Sequence, residues 1–497
     1  EQGEGEGEGE GEGEGEGEGE GEGEGEGEGE GEPAEDPGAP DVCGDDDPFR
    51  ADLNGDCEPD LVIGAPAVSR FLAIASRVDG SITEPFVEDW DFVDVIGGVA
   101  PAGTRLGQSM ALAPDKEPGA TGVRRFFPAV PGEGTVRELV PLRGAQSFAE
   151  QFPGTLTIGG TTAGTAMVVL RADDSGAAKI AVASDDAGGT IALGGAVAGP
   201  FADAVRRVIG VPIRALVRTP DKDGDGEEDI LVGAPGATFA PAVGTFGVFA
   251  LSSAGLTPIE SFRVATPAGV DGFGAALANV GDVDGDARTD FVVGSPDTGR
   301  AGVVHLLLST RAFAPVAVDA PAAASDGARF GFAVSAVGDV DDDGKNDIAV
   351  GAPLDFDAAT ALDDPECDDV AGAGYPGDCP GAVFLVLSSE VAAPAPLKCL
   401  QLFDGQGRFE RTRLGAALRP LGPHPESRDL GQRLAVGGPG TPNPTGDQGI
   451  VIVFTFTVDV AGRTCRSAEP DGSVLFFGGA AANGFGAGDD FGASFGQ

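Results

Sequence analysis

Basic residues are scarce in this chain: 31 Lys and Arg stand against 81 Asp and Glu, for a formal charge of −50. A surface this acidic repels phosphate backbones, which excludes nucleic acid as an expected partner. Divalent cations and basic surfaces are its natural counterparts. Aromatics other than Phe are nearly missing, with one Trp (Trp90) and one Tyr (Tyr375). That leaves little surface on which sugars could stack and weakens a lectin reading. The two histidines, His305 and His424, are far apart in sequence. No H-E-x-x-H, G-x-S-x-G, Walker loop or dinucleotide fingerprint occurs. No convergent His/Tyr/Arg set is visible, so the expectation is a non-enzyme with no catalytic residue. A glycosidase-type or lyase-type carboxylate set hidden among the many acids stays open. His305, within Val-Val-His-Leu-Leu-Leu, reads as a packed strand residue. No apolar run reaches 18 residues, so no membrane-spanning helix is expected; the longest, Gly449 to Val458, reads as a strand. Helical periodicity is also hard to find.

Cysteine is sparse and even in number, at six. C-x-x-C does not occur, which leaves zinc and thioredoxin-type chemistry unsupported. Neighbouring cysteines suggest Cys43–Cys57 across the first acidic loop, Cys367–Cys379 across the acidic insertion 354–380, and Cys399–Cys465 within the seventh repeat. Fifteen connectivities remain open. Disulfides point outside the cytoplasm, to a secreted or cell-surface location. The start at Glu1 reads as a processed N-terminus or the boundary of an excised piece.

Gly (83) and Pro (37) fit short strands joined by turns. Four turns share one design, with acidic or amide oxygens at positions 1, 3 and 5 and an acid at position 9. They hold Asp52, Asn54, Asp56 and Asp60; Asp221, Asp223, Asp225 and Asp229; Asp282, Asp284, Asp286 and Asp290; and Asp339, Asp341, Asp343 and Asp347. A hard cation such as Ca2+ takes six to eight oxygens at about 2.3–2.6 Å. A tight loop aims positions 1, 3 and 5 at one point, and the carbonyl of position 7 and the carboxylate of position 9 can close the shell. These 16 residues are the expected calcium ligands. Each loop feeds a closely similar strand: LVIGAP (61–66), ILVGAP (230–235), FVVGSP (291–296) and IAVGAP (348–353).

Upstream of two loops lie Phe273-Gly274 and Phe330-Gly331, with near copies at Leu106-Gly107 and Leu414-Gly415. The order Phe-Gly, acidic loop, strand, Gly-Ala-Pro resembles the FG-GAP repeat of integrin α-subunit head domains and many bacterial surface proteins. The likeness runs from about residue 49 to the C-terminus. Three further repeats are degenerate, found at Arg125-FFPAVPG, Lys179-IAVAS and Arg433-LAVGGPG. Each carries Arg or Lys at the ninth position and has lost most of the acidic set; the Lys179 repeat keeps Asp173, Ser175 and Gly176 but has Arg171 at position 1. Either the basic side chain fills the place of an ion and holds its turn by a salt bridge, or it has drifted and faces solvent. The anchors Asp60, Arg125, Lys179, Asp229, Asp290, Asp347 and Arg433 number seven, mostly at roughly 50–60 residue spacing. The fold implied is an all-β, seven-bladed β-propeller spanning 49–497. The first repeat has no clear Phe-Gly start, while residues 491–497 (FGASFGQ) carry Phe-Gly with no loop after it. The C-terminal piece is therefore expected to complete the first blade and remove open sheet edges.

Residues 3–32 are fifteen copies of Gly-Glu, followed by a Pro/Asp-rich linker over 33–48. Removing the 16 Glu of residues 1–32 from the formal −50 leaves −34 for the remainder. Such a segment is too polar to offset its chain entropy and is compatible with a disordered tail. If extended, its glycines line one face and its glutamates the other, over a reach of roughly 100 Å. An arm of that length could join head-to-tail neighbours into a filament. The leading expectation is an extracellular, calcium-binding structural protein that self-assembles through residues 1–32. The alternative is an integrin-like adhesion or ligand-binding module, with a surface or matrix ligand on the face opposite the loops. A secreted propeller enzyme ranks third.

Overall fold

The computed structural model describes residues 61–66, 70–74, 105–106, 108–112, 126–137, 139–141, 148–150, 156–157, 163–170, 178–185, 188–196, 205–238, 245–355, 381–400, 412–423, 431–439, 449–459, 464–467, 474–477 and 494–495. The Gly-Glu segment, the linker, the first acidic loop, residues 356–380 of the insertion and the Cys43–Cys57 and Cys367–Cys379 pairings lie outside them.

The described strands form seven antiparallel sheets in chain order, and no α-helix occurs among the described residues. The fourth sheet is a simple meander of Ala215–Thr219, Asp229–Ala237, Phe246–Leu251 and Pro258–Ala265. The fifth repeats it with Ala276–Gly281, Asp290–Ser295, Val303–Leu307 and Pro315–Asp319. The sixth does so with Ala333–Gly338, Asp347–Ala352, Ala382–Val386 and Leu397–Leu400. First strands of successive sheets lie against one another, from Met110–Leu112 in the second through to Ala417–Pro423 in the seventh. The two-residue strand Ser494–Phe495 lies against Ala417–Pro423 and pairs with Leu61–Ala65 of the first sheet through Ile63↔Phe495 and Gly64↔Ser494. This is the arrangement of a β-propeller, with first strands innermost.

Period-2 alternation explains why the second strands read as unbroken apolar runs. Both of their faces are buried, and each face supplies a different core. In Asp290–Ser295, Phe291 and Val293 pack with Leu231, Val248 and Phe273 between the fourth and fifth sheets. Val292 points the other way and packs with Ile348, Val350 and Phe384 between the fifth and sixth. Ile230 and Val232 enter the core shared with the third sheet, and Ala349 the core shared with the seventh. The blades are thus cemented face to face. His305 is part of this interior, 2% exposed, with its ring edge-on to Phe273 at 5.1 Å.

The Phe-Gly and Gly-Ala-Pro elements meet across these seams. Phe273 and Phe330 are fully buried, and Leu106 and Leu414 occupy the matching place in their sheets. A Cβ on Gly294 would fall 2.0 Å from the carbonyl oxygen of Gly331 in the next sheet; Gly233 stands likewise to Gly274, at 2.4 Å, and Gly351 to Gly415, at 2.0 Å. Gly331 also has φ +90°, a conformation that favours glycine. The motif is a close backbone contact between one sheet's second strand and the start of the following sheet.

The Cys399–Cys465 disulfide is present, but it is not internal to the seventh repeat. Cys399 lies on Leu397–Leu400, the last strand of the sixth sheet, and Cys465 on Thr464–Ser467 of the seventh. The bond therefore staples two blades at their outer strands. Sequence proximity to the seventh repeat misplaced Cys399, because the sixth sheet's fourth strand follows a long insertion.

Candidate metal centres

In the fourth, fifth and sixth sheets the acidic loop joins the first strand to the second. Position 1 folds it. Asp221 accepts the N–H groups of Asp223, Gly224 and Gly226 at 3.0, 2.6 and 2.9 Å. Asp282 accepts those of Gly285, Asp286 and Ala287 at 2.6, 3.1 and 2.7 Å, and Asp339 those of Asp343 and Gly344 at 3.0 and 2.8 Å. The bonds from Gly224 and Gly226 hold the Asp221 carboxyl below the usual range. At Asp282 burial pushes the other way, but the donors from Ala287, Gly285 and Asp286 prevail and its pKa is also lowered.

Position 9 opens the second strand and is fully buried in all three loops. Asp290 accepts the N–H of Val283 at 3.1 Å with one oxygen and that of Ser309 at 2.7 Å with the other. Asp347 does the same with Val340 and Ser388, at 2.8 and 2.7 Å, and Asp229 with Lys222 and Ser253, at 2.6 and 3.3 Å. Burial outweighs these bonds, so the carboxyl of Asp229 is pushed up to about 6, that of Asp347 to about 7, and that of Asp290 upward. A buried carboxylate raised in this way is one whose charge wants a nearby cation.

One oxygen from each of Asp282, Asp284 and Asp290 lies within 4.8 Å of the others, and the same holds for Asp339, Asp341 and Asp347. In the fourth sheet the grouped acids are Asp221, Asp223 and Asp225, all exposed. Position 5 behaves differently in the other two loops: Asp286 accepts the Ser309 hydroxyl at 2.5 Å and Asp343 that of Ser388 at 3.0 Å. Asp284 Oδ1 and Asp341 Oδ1 are buried and have no hydrogen-bond partner. An orphaned carboxylate oxygen beside two more carboxylates is a donor set that fits a hard divalent cation. Asp52, Asn54, Asp56 and Asp60 lie outside the described residues.

The hydroxyls were missed by motif reading. The tripeptides Leu251-Ser252-Ser253, Leu308-Ser309-Thr310 and Leu387-Ser388-Ser389 recur where the third strand ends, one residue earlier in the fourth sheet than in the other two, and that recurrence was the available signal. Position 2 also varies in its role. Val283 and Val340 are buried in the inter-sheet cores, whereas the Lys222 ammonium lies 5.7, 5.6 and 5.3 Å from the ring centres of Phe262, Phe291 and Phe313. Burial lowers the Lys222 pKa.

Of the degenerate repeats, Lys179 forms an ion pair, but with Glu227 of the neighbouring fourth-sheet loop. Arg433 is 4% exposed and donates from Nη2 to the Leu421 carbonyl at 3.1 Å. Arg125, Arg171, Asp173, Ser175 and Gly176 lie outside the described residues. Among the described residues, no helix is long and apolar enough to cross a membrane.

Sheets arrayed around inner first strands, with acidic loops in the fourth, fifth and sixth sheets and Phe-Gly/Gly-Ala-Pro contacts across the three seams from the fourth sheet to the seventh, form a β-propeller whose repeats resemble FG-GAP repeats. The chain is integrin-α-like. A 166-residue stretch is 37% identical to integrin α-PS2 of Drosophila melanogaster, covering 29% of this chain and 12% of that one. Another of 94 residues is 42% identical to human integrin α-IIb, covering 16% and 9%. A third of 142 residues is 35% identical to integrin α-8 of Gallus gallus, covering 26% and 13%. The chain thus spans only about an eighth of the length of the curated relatives it matches. No protein-family model matches it. Among solved structures it aligns with a periplasmic gluconolactonase of Pseudomonas aeruginosa at 15% identity and a TM-score of 0.43, over 84% of this chain and 98% of that one. It also aligns with a hypothetical selenium-binding protein of Sulfolobus tokodaii at 9% identity and a TM-score of 0.43, over 90% and 96%.

Proposed function

We propose that this chain is an extracellular, non-enzymatic propeller stiffened by calcium, serving as an adhesion or ligand-binding module. The observation that carries the calcium part is the buried, unpartnered Oδ1 of Asp284 and of Asp341 beside two more aspartates each. The ligands would be Asp282, Asp284 and Asp290 in the fifth sheet, Asp339, Asp341 and Asp347 in the sixth, and Asp221, Asp223 and Asp225 in the fourth, with Asp286, Asp343 and Asp229 beside them. Asp52, Asn54, Asp56 and Asp60 supply a fourth loop by their sequence pattern. Bound cations would offset repulsion among these acids and tie the first strand of each sheet to its second. The Cys399–Cys465 staple suits an extracellular setting. The integrin α likeness favours a partner or matrix ligand over a substrate. Calorimetric titration of the calcium-stripped chain tests the reading: about four calcium ions per chain are expected, and no uptake at millimolar calcium would refute it.

A second reading, assembly through residues 1–32, is favoured by the fifteen-fold Gly-Glu alternation. Negative-stain microscopy of the full chain and of a version lacking residues 1–32 decides it. Filaments only with the segment present support assembly; single particles in both exclude it.

A further inference from the structure

We propose that the hydroxyl pair after the third strand is the positioning half of the cation site in the fifth and sixth sheets, and that Lys179 of the third sheet withholds it from the fourth. The consequence is two tight sites and one weak one among these three loops. This rests on the calcium reading above.

A carboxylate has two oxygens, and fixing one aims the other. In the fifth sheet the Thr310 hydroxyl donates to Asp284 Oδ2, and Asp284 Oδ1 is the buried oxygen left without a partner. In the sixth, the Ser389 hydroxyl donates to Asp341 Oδ2 at 2.5 Å, and again Asp341 Oδ1 is buried and unpartnered. The Ser309 and Ser388 hydroxyls also donate to the position-5 acids Asp286 and Asp343, which take the N–H groups of Arg288 and Lys345 as well. Their own N–H groups bind Asp290 and Asp347. One turn thus grips positions 3, 5 and 9 together. Leaving a carboxylate oxygen desolvated is costly; the hydroxyls hold it so, ready for a cation.

The fourth sheet departs from this at two places. Strand register aligns Leu251 with Leu307 and Val386, which puts Ala254 where the others have Thr310 and Ser389. Asp223 Oδ1 instead takes the N–H of Asp225 at 3.2 Å. Ser253, the counterpart of Ser309 and Ser388, turns its hydroxyl to Glu227 at 3.0 Å, and Glu227 is held by Lys179. The ninth-position lysine of a degenerate repeat therefore acts on the next blade's loop, and the acids there stay exposed.

The test is calcium titration by calorimetry on the whole chain, paired with thermal melts in calcium and in excess chelator. Thr310→Val and Ser389→Ala should each weaken one tight site by roughly 10–100-fold, the usual effect of losing a residue that orients a ligand. Their melts in chelator should match the parent's. Ala254→Thr, and separately Lys179→Met, should strengthen the weak site alone. Calcium bound as tightly by Thr310→Val and Ser389→Ala as by the parent would overturn the proposal. So would an equal loss of melting temperature with and without calcium, which would make the hydroxyls merely structural. No calcium uptake by the parent would instead remove the cation reading on which it rests.

Discussion

His305 shows how a single residue makes stability depend on pH. Its ring is buried against Phe273, Nδ1 has no hydrogen-bond partner, and the charge of Asp319 favours its protonated form. Burial lowers its pKa to about 4. The unfolded chain takes up this proton near pH 6.5, whereas the folded chain resists until about 4. The unfolded state therefore binds more protons across that window, and stability falls as pH drops through it, by up to about 3 kcal/mol. Above pH 6.5 the residue has no effect of this kind. Asp229 and Asp347 are raised rather than lowered and slope the opposite way, so the informative quantity is the difference between parent and variant. His305→Phe should gain on the parent progressively from pH 6.5 to 4 in denaturant melts; a constant difference across that range would exclude the assignment. The sequence placed His305 in a strand interior correctly, because its apolar neighbours say so. The neighbours that set its pKa come from other strands and are not visible in a local window. The same limit hid Thr310 and Ser389: a tripeptide repeats in the text, but which hydroxyl meets which carboxylate depends on strand register.

Among elements, the Phe-Gly and Gly-Ala-Pro repeats were plain in the sequence, while the reason for them was not. Gly294 and Gly331 belong to different sheets, and only packing shows that one has no Cβ because the other's carbonyl is there. Gly294→Ala should therefore cost about 1–3 kcal/mol, the range of an overpacked interior site, since the obstacle is backbone and cannot rotate away. Gly255→Ala is the control, because a Cβ there meets nothing within 4 Å. Equal denaturation midpoints for the two variants would mean that the seam relaxes freely. The same logic explains the misplaced cysteine. Disulfide partners were assigned by repeat, yet outer strands of adjacent blades run side by side, so the Cys399–Cys465 bond closes a seam. Degenerate repeats also act across seams, as Lys179 does on Glu227, which a blade-by-blade reading of the loops could not find.

For the whole molecule, with a formal charge of −50, the proposed calcium reading makes the ion a condition of stability as well as a ligand. A site whose dissociation constant lies a hundredfold below the free calcium concentration adds about 2.7 kcal/mol. Excess chelator should therefore lower the melting temperature sharply, and Asp286→Ala should remove only part of that difference. A melt indifferent to chelator would deny calcium any structural part. Ring integrity depends on a second feature. A propeller blade left without its inner strand exposes ladder groups and apolar faces to water. In the first sheet that inner position is taken by Ser494–Phe495, which also lies against the seventh sheet. The sequence hinted at this through a Phe-Gly with no loop after it and a first loop with no Phe-Gly before it. Deleting residues 491–497 should then lower the melting temperature by at least several degrees, even in saturating calcium and with the disulfide intact. It should also produce higher-order species on size-exclusion chromatography, as the opened edge seeks partners. A deletion variant that stays monodisperse and melts like the parent would show that the first and seventh sheets hold together without the C-terminal strand.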